Sequence, residues 1–155
     1  MKKVLALTGS AALLMSGLVG STATAAPAPP TPAVTPSNLV EGTLAGPSKA
    51  KQDGVRLKTQ QDSTVRQFTL TYDPGADSGW HYHPGIVVAT VLSGSVVQQV
   101  GCTRTIYTAK QSFTEVAPHR VRNRGTVPAV LAITQIFPAG ELPRENVASP
   151  CPRRS

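Results

Sequence analysis

The spacing of turn residues most constrains what this chain can fold into. Short runs rich in Val, Ile, Thr and aromatic residues alternate with Gly, Pro, Ser and Asp breaks from about residue 55 to residue 137. Such runs are typical of β-strands, and no segment after residue 26 shows a sustained 3.6-residue period with helix caps. Strands are predicted at 55–58, 65–72, 86–92, 95–100, 105–108, 119–123 and 129–137. The sequence therefore predicts an all-β, antiparallel domain, with a hairpin turn at Ser93-Gly94-Ser95.

The first 25 residues are organised like a secretory signal peptide. Lys2 and Lys3 precede an apolar stretch over 4–20, and the small residues of 21–26 follow it. A basic start, an apolar centre and an Ala-x-Ala sequence predict cleavage after Ala25 or Ala26 and a secreted or extracytoplasmic protein. The alternative is an uncleaved membrane anchor, but the stretch is short for a span and is interrupted by Gly and Ser. We therefore expect no integral membrane span after processing.

Proline content sets the predicted domain boundaries. Residues 27–36 contain five prolines and almost no apolar bulk, which is typical of an extended tether. The predicted organisation is a signal peptide at 1–25, a Pro-rich disordered linker at 26–37, one domain at 38–143 and a C-terminal tail at 144–155. That length has room for a single compact core.

The chain contains only three histidines, and their spacing suits a metal site. His81 and His83 are two residues apart, so in a strand they point to the same face, about 7 Å apart along the backbone. His119 lies on another predicted strand and can supply a third imidazole. Imidazole nitrogen suits Fe, Mn, Ni, Cu and Zn, so the prediction is one divalent transition metal of unspecified identity. The alternative is that the three histidines are unrelated surface or core residues.

The residues around these histidines resemble the motifs of the cupin superfamily. The first cupin motif has Gly, five residues, His-x-His, a short gap, Glu, six residues and Gly. Here Gly75 precedes His81 by five intervening residues, and six residues separate position 87 from Gly94. In the second motif, His119 and Asn123 have the His-x3-Asn spacing, and Lys110-Gln-Ser-Phe113 is similar to its Gly-Asp-x-Phe opening. The resemblance covers residues 65–137 and implies an antiparallel jelly-roll β-barrel.

Two positions depart from the cupin pattern. Val87 occupies the position of the motif Glu, and Thr114-Glu115-Val116 stands where the second motif has Pro-x-Gly. The predicted ligand set is therefore three histidines without a carboxylate, as in some cupin dioxygenases. Glu115 is an alternative fourth ligand, while the competing interpretation is a solvated residue beside a turn.

The resemblance implies a metal-dependent oxidoreductase, dioxygenase-like, acting on a small organic substrate at open coordination positions. The predicted signal peptide implies that this protein is exported. One alternative is a non-catalytic module that binds a small ligand or the cell envelope. A metal-independent sugar isomerase or epimerase, with His81 or His119 as base, is another. The sequence has no Ser-His-Asp or Cys-His constellation for nucleophilic hydrolysis. The candidates for the pocket wall and for an amide near the metal are Trp80, Tyr82, Phe113, Phe137, Gln98 and Gln99.

The two cysteines and the basic charge complete the sequence-based predictions. An even cysteine count in an exported chain predicts a disulfide between Cys102 and Cys151, the alternatives being free thiols or a Cys102 metal ligand. Loss of Lys2 and Lys3 lowers the formal net charge from +7 to +5. The alternating arginines 120, 122 and 124 should share the outward face of a strand, either as a solvated edge or as a patch for an anionic partner. Export and the lack of interleaved aromatics argue against nucleic acid, whereas runs that are apolar on both faces also suit a homodimer.

Overall fold

The structure is a computed structural model that describes residues 30–152. The predicted signal peptide and residues 26–29 of the predicted linker lie outside this range. Every regular element between 30 and 152 is a β-strand, and within this range no helix has the length and apolar character needed to span a membrane. The strands are β1 (Val34–Leu44), β2 (Lys49–Gln52), β3 (Val55–Lys58), β4 (Ser63–Tyr72), β5 (His81–Tyr82), β6 (Ile86–Ser93), β7 (Ser95–Val100), β8 (Thr103–Thr108), β9 (Ser112–Glu115), β10 (His119–Arg122), β11 (Ala129–Pro138) and β12 (Glu145–Asn146).

The strands form two five-stranded antiparallel sheets and one small ribbon. The first sheet has the order β1-β4-β11-β6-β9, the second has the order β12-β5-β10-β7-β8, and β2 pairs with β3. No strand pairing among residues 30–152 joins the two large sheets, so the predicted barrel is not closed. The fold is two packed sheets, and the all-β antiparallel prediction is confirmed.

The core lies between the inner faces of the two large sheets. Alternate residues of β11 are buried, as are alternate residues near the middle of β6, which is the two-residue period of a sheet with one covered face. Leu131 and Val91 from the first sheet belong to the same buried cluster as Val96 and Val121 from the second. The inner face is therefore where residues from distant parts of the chain meet.

The break at Ser93-Gly94-Ser95 is a corner between sheets, and the predicted hairpin is wrong. β6 pairs with β9 and β11, whereas β7 pairs with β8 and β10. Gly94 has a φ of 73°, and a Cβ on it would lie 2.7 Å from the carbonyl oxygen of Pro128. Only glycine fits such a close approach with a positive φ. Glycine is typical of hairpin turns, but here it allows the chain to cross from one sheet to the other.

All seven predicted strands overlap strands of the structure, but five strands were not predicted. Part of the predicted linker is wrong, since β1 starts at Val34 and pairs with β4, with Pro36 opposite Leu70. Proline fits there because β1 is at the edge of its sheet, where a missing N–H costs no ladder bond. The domain also extends beyond its predicted end at residue 143, because β12 pairs with β5. The short strands β2, β5 and β9, of two to four residues, were also missed.

Candidate metal centre

Pairing between β5 and β10 brings two of the three histidines together. His81 and His119 are direct cross-strand partners, and their ring centroids are 4.3 Å apart. The loop that leads into β5 runs along β10, with Ser78 N donating to Val121 O at 2.9 Å and Asn123 N donating to Ala76 O at 3.0 Å. Both rings point into the core, His119 being fully buried and His81 5% exposed.

His83 lies beside the other two histidines, as the His-x-His alternation predicts. Its ring centroid is 5.0 Å from that of His81 and 5.3 Å from that of His119. It is the most accessible of the three, with a side chain that is 10% exposed. The structure thus assembles the three sequence-predicted residues in one cluster.

Glu115 is the fourth member of this cluster, and the interpretation as a solvated residue is wrong. It lies on β9, is 7% exposed, and stands directly opposite Val87 of β6. Cross-strand partners point to the same face with Cβ atoms about 5 Å apart. A carboxylate on β9 therefore reaches nearly the same space as the motif carboxylate would from position 87.

The donor atoms of these four residues converge on a small volume. One ligand atom from each of His81, His83, Glu115 and His119 lies within 4.8 Å of all the others. Metal–ligand bonds of about 2.1 Å place neighbouring donors roughly 3 Å apart and opposite donors roughly 4 Å apart. Small side-chain adjustments would bring the cluster into that range.

Backbone carbonyls hold all three imidazoles in the same tautomer. Nδ1 of His81 contacts Gly79 O at 3.0 Å, Nδ1 of His119 contacts Ala117 O at 2.7 Å, and Nδ1 of His83 contacts Pro143 O at 2.7 Å. A carbonyl oxygen can only accept, so each Nδ1 carries the proton and donates it. In a neutral ring, the lone pair is then on Nε2. Metal-binding histidines are oriented in this way.

The inward-facing nitrogens lack hydrogen-bond partners. Nε2 of His83 and Nε2 of His119 are both buried with no hydrogen bond. They lie 3.3 Å and 3.4 Å from an oxygen of Glu115, but the geometry is not that of a hydrogen bond. Buried polar atoms without a partner are rare and costly. Two such atoms directed at one point, beside a carboxylate, fit a cation.

Electrostatics of the cluster favour a charged Glu115 and a neutral His81. Burial alone would raise the pKa of Glu115, but His119 and His83 outweigh burial and lower it to about 2. Burial lowers the pKa of His81 to about 4, with His119 adding to the effect. Burial opposes protonation of His119 too, yet its contact with Glu115 raises its pKa. The carboxylate is therefore ionised at neutral pH and can serve as an anionic ligand.

The carbonyls that orient His81 and His119 belong to residues with positive φ angles. Gly79 has a φ of 69°, which costs glycine nothing, while Ala117 has a φ of 91°. A non-glycine residue in this region is strained, and such strain concentrates at functional sites. In both cases the carbonyl lies two residues before the histidine that it holds.

The C-terminal segment, predicted as a tail, takes part in the site. Pro143 O accepts from His83 Nδ1 and also from the amide of the buried Gln135. Gln135 stands opposite Val87 in the first sheet, so Gln135, Val87 and Glu115 form one row on the inner face. Sequence reasoning missed both Gln135 and Pro143, since no motif marks them.

The other candidate residues divide between the buried interior and the outer face of the second sheet. Phe113, Phe137 and Gln98 are buried, and Gln98 donates to Thr114 O at 2.9 Å, next to Glu115. Asn123 is a structural clamp that donates to Tyr72 O and Val127 O. On the outer face, the predicted arginine stripe is partly neutralised, because Arg120 and Arg122 both bind Asp77. Trp80, Tyr82 and Gln99 do not reach the cluster.

A disulfide joins Cys102 and Cys151, as the even cysteine count predicts. The structure contradicts the alternatives of free thiols and of a Cys102 metal ligand, since neither cysteine between 30 and 152 is free. The bridge links the turn after β7 to the segment beyond β12 and so pins the tail to the outer face of the second sheet.

The family model described as "Cupin domain" matches residues 68–135, which include all four residues of the cluster. This part of the chain is a cupin domain. The match ends before the C-terminal segment that holds His83 and before the disulfide partner Cys151.

Solved structures with a similar arrangement include a protein from Thermus thermophilus, with 28% identity over 48% of this chain and 72% of that chain, at a TM-score of 0.43. A Klebsiella pneumoniae protein with a double-stranded β-helix domain has 24% identity over 50% of this chain and 69% of that one, at a TM-score of 0.44. A DMSP lyase structure has 22% identity over 71% of this chain and 53% of that one, at a TM-score of 0.47. No curated protein matches this chain.

Proposed function

We propose that this chain is an exported cupin-domain protein that binds one divalent transition metal through His81, His83, Glu115 and His119, and that it acts as a dioxygenase-like enzyme on a small organic substrate. The unpartnered Nε2 atoms of His83 and His119 carry the proposal. Their Nδ1 atoms are already satisfied by carbonyls. A metal ion would satisfy both inner nitrogens at once.

The four-residue set differs in charge from the set of three histidines expected from the sequence. One carboxylate reduces the net charge of a divalent site from +2 to +1, and four protein ligands leave two positions of an octahedral metal for other molecules. A metal with such open positions supplies Lewis-acid or oxygen chemistry. The residues of the chain orient the ligands and exclude water from the buried side.

Metal analysis tests the site directly. We expect close to one metal ion per chain after purification, with removal by chelator and rebinding of Co²⁺ that gives a visible absorption band. His119→Ala should lower Co²⁺ affinity at least 100-fold, because its buried Nε2 is lost. An Arg56→Ala variant, altered at an exposed residue of the small ribbon, serves as the control. Equal Co²⁺ affinity in the His119→Ala variant would rule out the site.

Moving the carboxylate from β9 to the opposite position on β6 tests whether Glu115 is a metal ligand. Glu115→Val should weaken Co²⁺ binding strongly. The double variant Val87→Glu, Glu115→Val places the carboxylate opposite its present position, where the first cupin motif has it, and should recover much of the binding. Failure of Glu115→Val to weaken binding would show that three histidines suffice.

Oxygen consumption separates enzyme from binding module. The metal-loaded protein is screened with small organic acids, thiols and phenols in an oxygen electrode, with the His119→Ala variant as the blank. Oxygen uptake that depends on His119 supports the dioxygenase-like function. Full metal loading with no uptake on any substrate would favour the non-catalytic module.

The disulfide supports the proposed export, since disulfides persist in oxidising compartments. Expression of the whole chain in a bacterial host tests it. We expect the mature protein outside the cytoplasm, with an N-terminus at Ala26 or Pro27. Retention of Met1 on a cytoplasmic product would contradict export.

The outer face of the first sheet supports a homodimer. The outward residues of β6 and β11 carry no charge, and Ile86, Val88 and Leu92 are 52%, 40% and 54% exposed. The outer face of this five-stranded sheet has an area of roughly 650 Å². This is close to the roughly 800 Å² that each partner buries in a standard interface. Light scattering should give a dimer that Val88→Lys converts to a monomer. A monomeric wild-type protein would refute it.

A further inference from the structure

A groove of about 800 Å³ lies on the outer face of the second sheet, away from the metal cluster. Its floor is a cross-strand row in which Gln99 of β7 stands between Arg120 of β10 and Arg104 of β8. Trp80 forms one wall, and Ser149 with the Cys102–Cys151 disulfide forms another. A volume of this size is within the roughly 300–1,000 Å³ of small-molecule sites.

The two arginines of the groove differ in how they are held. Arg120 is fixed, because it binds Asp77 and its guanidinium carbon lies 5.7 Å from the centre of the Trp80 ring. Arg104 donates from Nε to the side-chain oxygen of Gln99 at 3.3 Å. No residue between 30 and 152 accepts a hydrogen bond from its terminal nitrogens. Arg104 therefore presents a forked donor that matches a carboxylate.

The buried side-chain amide of Gln99 holds the guanidinium of Arg104 in place. Gln99 is 6% exposed, and its nitrogen donates to Gly101 O at 3.1 Å, which fixes the direction of its oxygen toward Arg104. A buried polar side chain on the outer face of a sheet is unusual unless its hydrogen bonds are satisfied. Here they are satisfied by holding an arginine in the groove.

We propose that this groove binds a short acidic oligosaccharide. Trp80 offers an apolar platform for the C–H face of a sugar ring, and Arg104 binds the carboxylate of a uronic acid residue. Ser149 and Arg120 line the same groove and offer further polar contacts suited to hydroxyl groups. All charged residues of the lining are cationic, which excludes a cationic ligand.

The Cys102–Cys151 disulfide fixes the shape of the groove. After Val147, which donates to Trp80 O at 3.0 Å, no strand pairing holds the segment through residue 152. Cys151 fixes this segment to Cys102, and so the bridge holds one wall of the groove in place. Removal of the bridge should open the groove and weaken binding of the oligosaccharide.

Fluorescence of Trp80 provides the test, because it is the only tryptophan of the chain. The purified protein, with its disulfide intact, is titrated with trigalacturonic acid, with its methyl ester and with benzoate. We expect a saturable change with trigalacturonic acid, binding at least tenfold weaker for the neutral ester, and none with benzoate. Arg104→Ala should weaken acid binding at least tenfold, while Arg56→Ala, which removes the same charge elsewhere, should change it less than twofold.

Three outcomes would overturn the proposal. They are no saturable response to trigalacturonic acid, equal binding of acid and ester, and equal binding by the Arg104→Ala and Arg56→Ala variants. A response to benzoate alone would assign the groove to an aromatic acid and would also refute it. The Cys102→Ser, Cys151→Ser variant gives a second measurement. Unchanged affinity for trigalacturonic acid in this variant would show that the disulfide does not hold the wall of the groove in place. None of these results depends on metal binding.

Discussion

The inner and outer faces of strands β5 and β10 are built in opposite ways. On the inner face, His81 and His119 are buried and each imidazole is held by a backbone carbonyl. On the outer face, the neighbouring residues Trp80 and Arg120 are held by a cation–π contact and by an ion pair to Asp77. Residues that are adjacent in the chain thus belong to two different sites.

This difference shows how one strand pair can carry two sites, with substitutions in one site having little effect on the other. These carbonyls belong to backbone that leads directly into the strands, so we expect the inner site to change little when outer side chains are substituted. The outer face depends on side-chain charges and on one covalent bridge, so substitutions there should affect stability and the groove but not metal binding. The four predictions below test this separation, from the largest expected effect to the smallest.

Loss of the disulfide should have the largest effect on stability. The bridge connects residues 49 apart, and for such a loop the chain-entropy model gives about 4 kcal/mol. We expect Cys102→Ser, Cys151→Ser to lower the free energy of unfolding by up to this amount in chemical denaturation. Below the unfolding transition, Co²⁺ binding should stay within a few-fold of wild type. A loss of metal in the folded variant would show that the two faces are coupled.

Substitution of Gln135 should weaken metal binding without touching a ligand. Gln135 donates to the carbonyl of Pro143 that orients His83, so Gln135→Met should loosen that imidazole. Losses of about 10–100-fold in metal affinity are typical for such supporting residues. Gln99→Met, which removes another buried glutamine, on the outer face, is the matched control. Similar Co²⁺ affinities in the two variants would contradict the contrast between faces.

Asp77→Asn should destabilise the protein in a pH-dependent way. Burial opposes ionisation of Asp77, but hydrogen bonds from Arg120, Gly79 and Arg122 lower its pKa below the ordinary 3.8. The folded state therefore favours the charged form, and its stabilisation is complete above about pH 4 and is lost as the pH falls through the folded pKa. We expect a cost of about 1–2 kcal/mol at pH 7.

Thermal unfolding of wild type and of Asp77→Asn at pH 7 and pH 3 measures this effect. The difference in Tm should be smaller at pH 3. A difference that grows toward low pH would mean that the carboxyl is not held in its charged form. Metal content at pH 7 should be the same in both proteins.

Ala117→Gly should have the smallest effect and should stabilise the protein. The φ of 91° at Ala117 strains alanine but not glycine, and relief of that strain outweighs the added freedom of the unfolded chain by up to about 1 kcal/mol. We expect a rise in Tm of a few degrees, with Co²⁺ affinity unchanged or slightly lower. A lower Tm would show that the surrounding structure already accommodates alanine.

Much of the site was predictable because strand alternation is a local property. The His-x-His spacing places His81 and His83 on one face whatever their neighbours are, and His119 follows a motif spacing. The tightness of the turn at Gly94 is equally local, but its partner strand is not. Whether β7 folds back on β6 or crosses to the other sheet depends on which sheet buries Val96, and the residues that bury it are distant in sequence.

The sequence by itself determined an all-β chain, three inward histidines and a pair of cysteines able to form a bridge. Only the tertiary structure decided that Glu115 lies beside the three histidines, because its position opposite Val87 depends on the register between β6 and β9. Register is set by the summed burial of a whole strand face. For the same reason, the tail that holds His83 and walls the outer groove was invisible to motif and pattern. Its partners are up to 67 residues away along the chain.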